Sequence, residues 1–207
     1  MDGKMCYNRY HRQTARRLSP RRFFLRAARA AQREETMLQI RQIRIGDYRA
    51  AYRLIRQAFG GSNISDGHEQ DWVIAQRSGK GYNPALELVA ECDGSLVGHV
   101  LLTERAVRTP GGPRTVLYLA PLCVRPDCRG QGIGAALVAE AFSRAAGLGY
   151  RAAFLVGDPG YYSRFGFRPV TEFGIQNCSQ IPDVYVQAAE LRPGALGDIY
   201  GELHLSA

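Results

Sequence analysis

The chain has 207 residues, 45% of them hydrophobic and 22% charged, with a formal net charge of +8. That length and apolar share suit one domain with a real core, and no apolar run approaches the roughly 18 residues that a membrane span needs. The five cysteines (Cys6, Cys92, Cys123, Cys128, Cys178) are odd in number and scattered, with no second Cys or His pair at zinc spacing, so reduced thiols in the cytoplasm are expected and no metal is.

The charge is unevenly divided. Residues 1–36 carry ten Lys/Arg against three Asp/Glu, and the remainder carries 17 against 16. The basicity therefore belongs to an N-terminal extension and argues against nucleic acid as a partner of the rest. Arg21-Arg22-Phe23-Phe24-Leu25-Arg26 resembles a twin-arginine export motif, but Arg29, Arg33, Glu34 and Glu35 interrupt the apolar stretch it would need. An Arg-rich, acid-poor arm also resembles a transit peptide, and it could touch anionic lipid or nucleic acid. The plainest reading is a dispensable extension over 1–36 before a domain over 37–207.

Leu38 to Ile45 alternates apolar and polar, which predicts a first strand. Gly46-Asp47 turns the chain, Asp47 being a candidate N-cap. Tyr52, Ile55 and Phe59 place a helix over Tyr48–Phe59, ended by Gly60-Gly61-Ser62-Asn63. Asp66 to Gln76 reads as a second, short helix and Ser78 to Pro84 as a loop. Leu86–Cys92 and Leu96–Val107 form a hairpin about Asp93-Gly94. After the turn Pro110-Gly111-Gly112-Pro113, Thr115–Val124 is the central strand. Gly132–Leu148 is a long helix with Ile133, Leu137, Val138, Ala141 and Phe142 on one face. Ala152–Val156 is a short buried strand. Asp158 as N-cap, Pro159 at the first helical position and Gly166 as C-cap predict a helix of about two turns.

The junction between the central strand and the long helix carries the chemistry. Strand, glycine turn and helix together point backbone N–H groups at a phosphate, and the glycines let the main chain approach it. The turn lacks the Lys-Ser/Thr of a P-loop, and Gly130, Gly132 and Gly134 read G-x-G-x-G rather than the G-x-G-x-x-G of a dinucleotide site. Arg129-Gly130-Gln131-Gly132-Ile133-Gly134 instead resembles the [RQ]-x-x-G-x-[GA] signature of the GNAT N-acetyltransferases. The segment GDPGYYSRFGFRPV with the later LRPGAL resembles their YhbS-like branch.

This resemblance, over roughly Leu38 to Leu191, implies a mixed, mostly antiparallel α/β sheet with helices on both faces. It also implies acetyl-CoA as acyl donor and a primary amine of a small molecule or peptide as acceptor, and it leaves a homodimer open. The implied CoA site is Arg129, Gly130, Gln131, Gly132, Ile133, Gly134 and Ala135, with the backbone of Leu122, Cys123 and Val124 for the pantetheine arm. Pro121 cannot donate to a ladder, so it marks a bulge or an edge where pairing stops. Tyr162, four residues before Gly166, matches the tyrosine that acts on the departing CoA sulfur. A phenol of pKa about 10 and a thiol of about 8.5 make full transfer uphill by roughly 2 kcal/mol, so hydrogen bonding is the expected role. Tyr161 is expected to pack on the sheet, and Cys123 to be a buried strand residue rather than a nucleophile. Glu104 is the first choice for general base, with His99, His68, Glu69 and Asp71 as the other candidates. The alternative reading keeps the CoA site without catalysis, as a CoA-sensing or partner-binding module.

Overall fold

The computed structural model describes residues 38–60 and 67–205. The extension 1–36, the turn residues Gly61, Ser62 and Asn63, and the expected helix start at Asp66 lie outside these. Among the described residues, nine strands form one sheet in the order β1-β2-β3-β4-β5-β8-β6, with β9 joining β3 and β7. They are β1 (Gln39–Gln42), β2 (Tyr82–Cys92), β3 (Ser95–Thr109), β4 (Gly112–Val124), β5 (Ala152–Val156), β6 (Arg168–Pro169), β7 (Ile175–Asn177), β8 (Val186–Glu190) and β9 (Gly201–Leu203). Only β4–β5 and β7–β9 pair in parallel. The helices are α1 (Tyr48–Phe59), α2 (Glu69–Arg77), α3 (Ile133–Gly147) and the single turn α4 (Pro159–Tyr162).

Alternation along β3 decides which helix each side chain meets. Val100 and Leu102 join Ile133, Leu137, Val138 and Ala141 in a core beneath α3. Leu101 points the other way, where it packs with Cys123, Leu54, Ile55, Ala58 and Val73 beneath α1 and α2. The helix faces follow the 3.6-residue period. In α1 the buried positions are Ala51, Leu54, Ile55 and Ala58, one residue round from the expected stripe, while Tyr52 turns out to hydrogen-bond Asp71 at 3.1 Å. Gly98 allows α3 to press close, since a Cβ there would stand 2.8 Å from Leu137 Cδ1 and 3.1 Å from Ile133 Cγ2.

Three local expectations differ from the structure. Strand β1 ends at Gln42 because Arg41 and the Arg44 N–H both engage the Asp47 carboxylate, which therefore caps the short 3-10 turn Ile45–Asp47 rather than α1. Strands β2 and β4 begin earlier than their apolar runs, at Tyr82 and Gly112, because β3 is long enough to pair with both. Beyond Gly166 the small strands β6 to β9 complete the sheet, and their two- to five-residue runs carry little periodic signal.

One buried ionic cluster ties α2 to the sheet. Glu87 on β2 and His99 on β3 are both fully buried and meet at 2.9 Å. Arg77, at the end of α2, forks onto the same carboxylate at 2.5 and 3.0 Å, and the Tyr82 hydroxyl donates to it at 2.7 Å. Burial pushes the Glu87 carboxyl up, but the bonds from His99, Arg77 and Tyr82 outweigh it and hold the group at about 2. A carboxyl lowered from 4.5 to about 2 contributes stability that is complete above its unfolded value and is lost as pH falls through that window. The urea midpoint should therefore drop between pH 4.5 and 2. Glu87→Gln should lose about 3–5 kcal/mol at pH 7, because it leaves the Arg77 charge buried without its partner, and its stability should fall less steeply with acid. An acid limb identical in both proteins would assign acid sensitivity to other carboxylates.

Candidate active site

The site is built where β4 leaves β5. The two strands pair only at Leu117↔Ala153 and Tyr118↔Phe154. Beyond this, β4 continues beside β3 to Gly98↔Val124, and β5 continues beside β8 to Val156↔Val186. The register slips between Leu102↔Leu119 and Val100↔Leu122, so Ala120 and Pro121 form a bulge at the point of divergence. The result is a wedge-shaped gap with a free backbone edge along the last residues of β4.

The direction of the peptide groups on that edge can be followed residue by residue. The Arg125 N–H is given to Val97 on β3, and the Val124 carbonyl, on the other side, meets Arg129 Nε at 3.3 Å. Alternation then turns the Leu122 and Val124 peptide groups toward the gap and those of Cys123 toward β3. The expected trio therefore divides, with Leu122 and Val124 on the gap and Cys123 on the ladder. The Cys123 thiol lies in the core beneath α1 and α2, where burial pushes it up to about 12. A thiol in that environment is a packing group, not a nucleophile.

At the wide end of the gap, α3 begins without a side-chain cap. Its N-cap is Gly132 at φ 80°, preceded by Gly130 at φ 76°, both in the left-handed region that favours glycine. The first intrahelical bond is Ala136 N to Gly132 O, so the N–H groups of Ile133, Gly134 and Ala135 have no helical acceptor. Gln131 lies between the two glycines. Arg129 braces the loop by donating from Nη2 to the Ala58 carbonyl of α1 at 2.7 Å as well as to Val124.

The opposite lip is the turn after β5. The Asp158 carboxylate accepts from Gly160 N at 2.9 Å, Pro159 opens α4, a 3-10 turn Ser163–Phe165 follows, and Gly166 stops it at φ 82°. The Tyr162 ring packs against the Gly157 backbone and makes an edge-to-face contact with Phe167 at 5.7 Å. Burial first, then the neighbouring Tyr161 and Tyr118 phenols, raise the Tyr162 hydroxyl well above its ordinary range, so it stays protonated at neutral pH. Tyr161 is not on the sheet. Its hydroxyl lies over Gly134, where a Cβ would stand 2.6 Å away, and its ring stacks edge-on against Tyr162 at 4.9 Å.

The candidate bases occupy different places. Glu104 lies opposite Leu117, where β4 is still paired with β5, and on the α3 side of the sheet it accepts from the Tyr150 hydroxyl at 2.5 Å. His99 is engaged by Glu87. Asp71 accepts from Tyr52 and lies 3.6 Å from His68. Glu69, the first residue of α2, is close enough for its charge to act on the Cys123 thiol, and its Oε2 is buried with no hydrogen-bond partner among the described residues. Beside it, Trp72 of α2 meets Tyr118 edge-on at 6.3 Å.

The dependence of this lip on Gly157 is testable. Gly157→Ala should displace the Tyr162 ring, lower the melting temperature by an amount equivalent to about 1–3 kcal/mol, and alter the near-ultraviolet tyrosine signal. A protein unchanged in both would show that the ring is not held by this contact.

Residues 39–170 match the family described as "Acetyltransferase (GNAT) domain". The uncharacterized N-acetyltransferase YjhQ of Escherichia coli (strain K12) is 33% identical over 113 residues, which is 55% of this chain and 60% of YjhQ. The uncharacterized N-acetyltransferase YhbS of the same strain is 40% identical over 83 residues, 40% of this chain and 48% of YhbS. The matched stretches thus span about half of these curated relatives. Among solved structures, the GNAT family N-acetyltransferase YhbS from Escherichia coli in complex with CoA has a TM-score of 0.71 at 28% identity, covering 82% of this chain and 91% of that one. A GNAT family acetyltransferase from Brucella melitensis in complex with acetyl-CoA has a TM-score of 0.64 at 30% identity, covering 77% and 91%. With the strand gap, the glycine-headed helix and the family match over most of its length, this chain belongs to the GNAT acetyltransferase family, in its YhbS-like branch.

Proposed function

We propose that this chain transfers an acetyl group from acetyl-CoA to a primary amine of a small molecule or peptide. The observation that carries the reading is the free β4 edge ending at an uncapped helix N-terminus, with a protonated phenol across the gap. The residues present fit the donor. The unpaired N–H groups of Ile133, Gly134 and Ala135, reached through Gly130, Gln131 and Gly132, suit a pyrophosphate. Leu122 and Val124 offer main-chain groups to an amide-bearing arm lying in the gap like an added strand. Arg129 serves by holding this loop against α1 and β4. The four described cysteines are free, which suits a reducing compartment such as the cytoplasm.

Acetyl-CoA, when bound, supplies the activated thioester. The chain supplies position and proton handling. Held in one gap, amine and thioester react as neighbours, which replaces a bimolecular encounter. Tyr162, kept protonated by burial and its neighbouring phenols, donates a hydrogen bond to the sulfur as negative charge develops there. An alkylamine is protonated at neutral pH and has to lose a proton first. For that step the geometry favours Glu69 over Glu104, because Glu69 lies near Cys123 of the separated part of β4 with an oxygen that has no partner among the described residues, while Glu104 lies over the paired part and is held by Tyr150.

The tyrosine pair separates the two halves of this reading. Wild-type protein should be thermally stabilised by CoA. Tyr162→Phe should keep that stabilisation but lower kcat by about 10²–10³. Tyr161→Phe, beside Gly134, should weaken CoA binding and leave kcat nearly intact. CoA stabilisation with no turnover across a screen of amines and peptides would support the CoA-sensing alternative, and no stabilisation at all would remove the CoA reading.

The base assignment predicts a pH signature. Glu69→Gln should lower kcat/KM by roughly 10² or more at pH 7. Its rate should recover as pH rises toward the amine pKa, about 10.4 for an alkylamine of the lysine type, since the free amine then forms without help. Glu104→Gln should leave that profile unchanged. The reverse pattern would return the role to Glu104.

A further inference from the structure

We propose that Cys178, Glu202 and His204 form a zinc-binding site at the edge of the sheet remote from the active-site gap. The parallel pairing of β7 with β9 places Gln176 beside Glu202 and Asn177 beside Leu203, and the Cys178 N–H bonds the Leu203 carbonyl at 2.9 Å. Glu202 on β9 and His204, the residue just after it, are two apart and so share a face, and Cys178 directly follows β7 next to them. One thiol, one carboxylate and one imidazole thus converge, with their ligand atoms within 4.8 Å of one another. His204 Nε2 and Glu202 Oε2 already lie 3.0 Å apart.

This donor set is that of a zinc ion. Zinc accepts S, N and O ligands at about 2.3, 2.0–2.1 and 2.0–2.2 Å, which puts neighbouring ligand atoms on the order of 3.5 Å apart in a tetrahedron. The His204–Glu202 pair already stands near that spacing, and all three ligand atoms lie within 4.8 Å of one another. Hard ions such as magnesium or calcium want all-oxygen shells, so thiol and imidazole select against them. Three protein ligands leave the fourth position to water.

The backbone that carries the thiol is braced before any metal arrives. The Asn177 amide donates to the Ile181 carbonyl at 2.7 Å and to Asp183 Oδ1 at 2.9 Å. The Asn177 side-chain oxygen accepts from the Ser179 N–H at 3.0 Å and from its hydroxyl at 2.5 Å. Binding converts the Cys178 thiol to thiolate, releasing its proton to solvent, and takes the His204 imidazole in its neutral form, so affinity rises with pH. Because β9 also pairs with β3 at Val107↔Leu203, the ion would fasten the C-terminal strand to the β3 end opposite Gly98 and Val124. Its role is structural clamping rather than acyl transfer.

The test uses the full chain, treated with chelator under reducing conditions and titrated with zinc against a chromophoric chelator. Expected are one zinc per chain, a melting temperature that rises with zinc, weaker binding at pH 5.5 than at pH 7.5, and, with cobalt in place of zinc, a thiolate-to-cobalt absorption. Cys178→Ser, Glu202→Gln and His204→Ala should each abolish the stoichiometric uptake while leaving the metal-free melting curve and the CoA-induced shift as in wild type. Cys6→Ser, Cys92→Ser and Cys128→Ser should leave zinc uptake intact. Absence of uptake by the wild type, or uptake that survives Cys178→Ser, would overturn the proposal.

Discussion

Everything about this site depends on two strands parting company. A parallel pair that stays bonded along its length has no main-chain groups to offer, and a sheet that simply ends exposes an edge prone to mispairing. Here β4 remains paired with β3 to its last residue, so it is held straight and ordered. Only its other edge is released, after Tyr118. The bulge at Ala120 and Pro121 is where the change occurs, since proline brings no N–H to the ladder. The released edge is therefore held in register by β3 on one side while the Leu122 and Val124 peptide groups face the gap on the other, the Val124 carbonyl meeting Arg129.

Each wall of the gap is held by a different device. On one side, Arg129 bonds both the end of β4 and the end of α1, so the glycine loop is anchored although its own residues are nearly bare of side chains. On the other side, Asp158 and Gly166 bracket the turn that carries Tyr161 and Tyr162, and Gly157 lets the second ring approach the backbone closely. The two tyrosines are adjacent in sequence but packed differently, the Tyr161 hydroxyl over Gly134 at the head of α3 and the Tyr162 ring against Gly157 and Phe167. Helix α2 closes the remaining side, and the buried Glu87 cluster fixes it through Arg77. A buried ion pair is a poor source of net stability compared with apolar packing. In this fold it joins the C-terminal end of the helix that begins at Glu69 to β2 and β3.

Much of this was legible in the residues. Hydrophobic periodicity and Gly/Pro punctuation located α1, β3, α3 and β5 close to their observed bounds, and β2 and β4 apart from their early starts, because these segments are long enough for the pattern to repeat. The glycine loop was legible because left-handed backbone leaves a mark in composition, and Asp158-Pro159 because capping chemistry is local. The bulge at Pro121 was readable for the same reason. These features depend on each residue's immediate neighbours, and so the chain itself determined the family, the fold and the place of the glycine loop.

Other features had no local signature. Which peptide groups of Leu122, Cys123 and Val124 face the gap depends on the register with β3, which a single strand does not contain. Glu104 and Glu69 are equivalent as letters, and only packing gives one to Tyr150 and leaves the other with a buried oxygen that has no partner among the described residues. Tyr161 lies on α3 rather than on the sheet because α4 is a single turn whose direction is set by Gly157 and Gly166. The grouping of Cys178 with Glu202 and His204 arises solely from the pairing of two three-residue strands, too short to be seen in the sequence. Side-chain type and local backbone preference are properties of the chain, whereas register, facing and partnership are properties of contacts between distant segments, and only the tertiary structure decided those.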